Sequence, residues 1–230
     1  MEQSSGKGLR IFAIVFMGMT AAMNILGGIG TVCAAFLTKD FPPMWAFYDY
    51  QLQYQILMIT TILIGIAGTW VTIRLVKGAP KAFINALIIL VVGTAVSATQ
   101  YFASVAIRGK GVPANVKFYT NAVTLLIFLI LALPSIRKKV DFSKPMSRGD
   151  KSSASGLTAF IAGVSMLTIN IWVGTSHTFQ GANWVDVLKT PLIVGGSLLT
   201  IGGFVLMLLP ALAALRKRQP SEDPKSVLSR

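Results

Sequence analysis

Residues 82–107 read AFINALIILVVGTAVSATQYFASVAI, 26 consecutive positions without a charged side chain. As a helix at 1.5 Å per residue the run is about 39 Å long. A hydrocarbon layer of about 30 Å needs roughly 20 apolar residues to cross it. Backbone polar groups in lipid must be satisfied within the segment, and the run lacks the period-two alternation of a barrel strand. It therefore predicts a transmembrane helix. Five further stretches read the same way, at about 9–37, 54–76, 118–136, 156–178 and 191–215. The expected fold is an all-α membrane protein, a bundle of six transmembrane helices in one domain over residues 1–218. A flexible cytoplasmic tail follows at 219–230.

Composition supports this. Hydrophobic residues make up 53% of the chain and charged residues 13%, with mean hydropathy +0.67. A soluble domain is nearer a quarter charged and cannot hide so much apolar surface in so small a core. The net charge of +13 would suit nucleic acid, but the basic residues sit between the spans. There they orient the chain and face anionic lipid, so no nucleic-acid partner is expected.

The flanks at the N-terminus, 74–81, 137–151 and beyond 215 hold 16 of the 21 Lys and Arg residues. The opposite flanks hold only Lys39, Arg108, Lys110, Lys117 and Lys189. The positive-inside rule then puts both termini in the cytoplasm, and the expected location is a bacterial-type plasma membrane. Trp45, Tyr48, Tyr50, Tyr54, Tyr101, Tyr119, Trp172 and Trp184 fall toward the outer face, against Trp70 toward the inner. The polar stretch 140–155 reads as a flexible cytoplasmic loop. A thin repeat (Gly18 before Asn24, Gly93 before Gln100, Gly163 before Asn170) suggests three parallel helical hairpins.

The chain argues against several chemistries. No Asp, Glu, Lys, Arg or His falls in the middle of an expected span, which counts against a proton-driven pump. His177 is the only histidine and Cys33 the only cysteine, so no metal site, no haem site and no cofactor is expected. Ser176 beside His177 is a chain neighbour, not a catalytic pair, and an enzyme is not the favoured reading.

Small residues four apart, Gly27, Thr31 and Ala35, Gly65 and Thr69, Gly196 and Thr200, are expected at close helix packing. Asn24 and Asn170 each fall about 21 Å into their spans, where a carboxamide needs partners. Interhelical hydrogen bonding would satisfy them. The sharper expectation is an outward-opening cavity lined by Asn24, Ser97, Gln100, Asn121, Asn170 and Trp172, suited to a small amphipathic ligand. Two functions follow: a non-catalytic subunit of a larger membrane complex, or a binder or transporter of small molecules or lipid.

Overall fold

The computed structural model describes residues 2–40, 42–172, 178–179 and 181–216. Helix α1 (Glu2–Gly30) breaks at Thr31 and resumes as one turn, α2 (Val32–Ala35). A 3₁₀ helix, Pro42–Tyr50, leads into α3 (Gln51–Lys77), α4 (Ala82–Arg108), α5 (Ala114–Ala132) and the short α6 (Pro134–Arg137). Then come α7 (Arg148–Leu167), α8 (Ile169–Trp172), a two-stranded pairing of Thr178–Phe179 with Ala182–Asn183, α9 (Trp184–Val187) and α10 (Lys189–Arg216).

Among the described residues, five segments are long and apolar enough to cross a membrane: Gly6–Ala35, Met44–Lys77, Ala82–Arg108, Ala114–Ala132 and Lys189–Pro210. The protein is thus an all-α membrane protein. The expected span at 156–178 differs in form. Its helix begins earlier, at Arg148, where Ser147 caps it by accepting a hydrogen bond from the Asp150 amide at 3.2 Å. Two polar turns dilute its apolar content, and it stops at Leu167, with only the single turn of α8 beyond.

Local chemistry sets the other boundaries. α3 ends where Gly78 adopts φ +66° and its successor's amide reaches back to the Arg74 carbonyl at 2.9 Å. α4 ends the same way at Gly109, φ +67°. Only glycine enters that region without a Cβ penalty. α5 stops before Pro134, which lacks an amide to continue the ladder and opens α6 instead.

The packing runs hairpin by hairpin. Gly65 and Gly68 of α3 lie on Ala21, Ile25 and Met17 of α1, while Gly28 meets Ile62, so the two helices are antiparallel. α7 and α10 are also antiparallel, with Gly156 against Gly203 and Met207, and Gly163 against Gly196 and Thr200. A Cβ on Gly163 would stand 2.5 Å from the Thr200 amide nitrogen. Hydrogen at these positions is what brings the backbones together. Thr69, expected at such a contact, is exposed; the inward partner of Gly65 is Gly68, one residue nearer.

The bundle interior is divided along its length. The half that holds the α3–α4 turn is apolar, with Ile14, Met17, Val71, Leu75, Phe83, Leu90, Phe128 and Leu131 in one cluster. Buried polar residues collect toward the opposite half: Thr20, Asn24, Thr31, Thr61, Ser97, Gln100, Ser104, Lys117, Asn121 and Thr124.

The stretch 140–155 is not the loose linker its polarity suggests. Val140, Phe142 and Met146 are buried in the apolar cluster, and Met146 donates its amide to the Val76 carbonyl at 2.9 Å. Phe142 and Phe83 lie 5.1 Å apart by ring centroid, and the Arg137 guanidinium sits over Phe83 at 4.5 Å. Arg10 ties α1 to the same segment through the Leu75 and Lys144 carbonyls. Three apolar side chains among many polar ones anchor it, and residues from Arg148 onward are already helix. The tail beyond 216 lies outside the described residues.

Candidate functional site

α5 starts at Ala114, a full turn before the expected 118, and this corrects the reading of Lys117. Its inward stripe is Ala114, Lys117, Asn121, Thr124, Phe128 and Leu131, the three- and four-residue spacing of one helix face. Lys117 is therefore no loop charge. Only 3% of it is exposed, and its ammonium donates to Thr61 Oγ1 at 3.1 Å and to Gln100 Oε1. Its stem crosses α1 at Gly27, where a Cβ would stand 3.1 Å from the Lys117 Cδ. Gly27 thus makes room for a side chain of α5 instead of seating a neighbouring backbone.

A chain of donors fixes the geometry. The Thr31 hydroxyl donates to the Gly27 carbonyl at 2.7 Å and accepts from Gln100 Nε2 at 2.9 Å. Gln100 must then turn its carbonyl oxygen to Lys117. Nearby, Tyr54 and Ser104 share a hydroxyl–hydroxyl hydrogen bond of 2.9 Å, with Phe47 against the Tyr54 ring at 4.4 Å between centroids.

These groups line a cavity of about 280 Å³ in the polar half of the bundle. Gln100, Lys117 and Thr31 form its polar floor, with Tyr54 and Ser104 beside them. Met23, Leu26, Met44, Phe47, Pro113 and Val116 supply apolar walls, Met44 and Phe47 coming from the 3₁₀ helix as a roof. Arg108 also lines it. Its guanidinium donates to the Val112 carbonyl at 2.5 Å, lies over the Phe47 ring at 4.8 Å, and keeps a buried Nε without a partner. Asp40, Asp49 and Asp186 make no ion pair with it among the described residues. Leu26, Gly30 and Pro113 line the cavity and are exposed, which places its mouth between α1 and the start of α5.

Of the residues expected to line a cavity, the structure brings Gln100 to this one. Asn24 and Asn121 are buried against each other instead. Asn24 Nδ2 donates to Asn121 Oδ1 at 3.1 Å, and Asn121 Nδ2 returns a bond to Asn24 Oδ1 at 3.0 Å. Ser97 is buried with its hydroxyl on the Gly93 carbonyl at 2.6 Å. Asn170 is exposed on α8, which packs on α7 and α9. The Trp172 side chain and residues 173–177, with Ser176 and His177, lie outside the described residues. Thr31, expected only to pack, is part of the polar floor, and Ala35 is buried with its carbonyl accepting from Gln55 at 3.0 Å. Lys117, Tyr54, Ser104 and Arg108 were not anticipated. No protein-family model, curated protein or solved structure matches the chain, so the site speaks through its own residues alone.

Proposed function

We propose that the protein binds a small amphipathic molecule in the outer half of the membrane, as a binder or the binding component of a transporter. The carrying observation is the cavity of about 280 Å³ between α1, α3, α4 and α5, apolar on its walls and polar on its floor. Sites for small molecules have this make-up, with a few convergent polar groups to orient the ligand. The apolar cluster around Phe83, Phe128 and Phe142 fills the cytoplasmic half beneath it. That supports an outward-open pocket with a closed floor, not an open pore.

This reading takes six crossings with both termini cytoplasmic. α10 is long enough to span, and α7 runs back antiparallel beside it. The 16-to-5 division of basic residues supplies the direction. A subunit role has one observation in its favour. α10 leaves Leu198, Ile201, Phe204 and Leu209 exposed, and Gly202 meets nothing within 4 Å. Purification in mild detergent as a stable hetero-complex would support it.

The pocket is tested by titrating 1-octanol into the full chain in phosphatidylcholine nanodiscs, with protein-free discs as reference. A Cβ on Gly30 meets no atom within 4 Å, so a side chain there starts in open space and Gly30→Trp sets an indole at the mouth. Saturable binding is expected in the parent chain and loss of it in Gly30→Trp. Equal heats from both proteins and from empty discs would refute the pocket.

A further inference from the structure

We infer that the cavity's occupant is a monoanionic amphiphile, a carboxylate on a medium-length apolar tail, with its head at Lys117 on the polar floor and Arg108 on the same lining. This rests on the pocket reading above and names its substrate class.

The first observation is charge. The lining contains two cationic side chains, Lys117 and Arg108, and no acidic one. Lys117 is 3% exposed, and among the described residues it has no carboxylate partner. A buried ammonium satisfied only by neutral groups lacks the counter-charge that offsets its desolvation. An anion in the cavity supplies it.

The second is direction. An ammonium has three N–H donors, and Thr61 and Gln100 take two. The Thr31–Gln100 relay holds the Gln100 oxygen toward the lysine and fixes the second of those bonds. One donor remains for a ligand. The stem cannot carry the charge out to water by the usual extension, because it lies across α1 in the slot left by Gly27.

The third is size and valence. At roughly 30 Å³ for each water molecule, about 280 Å³ is the room of about nine waters, enough for a medium-length apolar tail such as that of octanoate. Lys117 has one free N–H, and Arg108 keeps donors beyond the one on the Val112 carbonyl, a set that a single carboxylate head can take up. A phosphate dianion calls for more donors, commonly an arginine fork facing it.

The test titrates octanoate, 1-octanol and octyl phosphate into the full chain in phosphatidylcholine nanodiscs by calorimetry, with empty discs subtracted. Octanoate is expected to bind at least about tenfold more tightly than octanol, the lower end for a hydrogen bond to a charged group. In Lys117→Met that ratio is expected to fall to about one. Octanol binding as tightly as octanoate in the parent chain, with both lost in Gly30→Trp, overturns the charge assignment and leaves the pocket standing. Octyl phosphate binding more tightly than octanoate overturns the carboxylate assignment. If neither octanol nor octanoate binds, the pocket reading falls and this inference with it. The parent-chain comparison needs no variant, so a Lys117→Met chain that fails to fold leaves the test decisive.

Discussion

The reciprocal bond between Asn24 and Asn121 offers the sharpest test of how the polar half of the bundle is held together. Asn24→Leu removes two interhelical hydrogen bonds of 3.1 and 3.0 Å. It also strips Asn121 Oδ1 of its donor, although Asn121 Nδ2 keeps the Lys117 carbonyl at 2.8 Å. Interhelical hydrogen bonds in bilayers average about 0.6 kcal/mol and reach about 1.7, so two bring roughly 1–3 kcal/mol. An orphaned buried acceptor costs about 1–3 kcal/mol more. Each single leucine substitution should therefore cost about 2–4 kcal/mol, given how far these terms overlap. The double substitution leaves no orphan, and leucine repeats asparagine's heavy-atom branching, although its methyl groups are bulkier. Its cost should be no larger than that of either single, giving an interaction energy of about 2 kcal/mol or more in the cycle. Reversible unfolding in mixed detergent micelles, followed by tryptophan fluorescence, measures all four corners. Costs that add to within about 0.5 kcal/mol would refute the clasp.

Three other outcomes are expected. Gly163→Ala would put a Cβ 2.5 Å from the Thr200 amide nitrogen and 2.6 Å from the Gly196 carbonyl. The overpacking, about 1–3 kcal/mol, should exceed the gain in helix propensity of about 1 kcal/mol; a raised melting temperature would contradict it. Single cysteines at 143 and 48, in a Cys33→Ser background, should label from opposite sides, position 143 only after the membrane is permeabilised. Labelling of 143 from outside would reverse the topology. The Asp141 carboxyl is held below its ordinary value of 3.8 by hydrogen bonds from the Ser143 hydroxyl and amide. A depressed carboxyl stabilises the fold above its unfolded pKa and loses that contribution as pH falls through the folded one. Exchange of the Ser143 amide should therefore gain protection-loss, relative to Asp141→Asn, as pH drops below about 4; identical profiles would sink the assignment.

The positions of five of the six expected spans were legible because lipid imposes a length and a composition on any helix that crosses it. The inside of the bundle was harder to read, because here the lipid-facing surface is the more apolar one. Lys117 shows the cost of a boundary error. Starting the fourth helix at Phe118 left the lysine among loop charges. Starting it at Ala114, after Pro113, puts Lys117 one turn before Asn121 and on the same face as Thr124. Gly27 misled for a related reason, since a small residue leaves room without saying for what. The anchoring of 140–147 was hidden because Val140, Phe142 and Met146 are too few to form a periodic pattern. Asn24 and Asn121 stand 97 positions apart, and nothing local announces such a pairing.

The last hairpin has a consequence for biosynthesis. α10 lies mainly along α7, and α7 meets the remainder chiefly along α1. Every wall of the pocket comes from residues 23–117. The half that holds the cavity can accordingly be complete while the ribosome is still translating α10, and the late hairpin docks onto a finished surface.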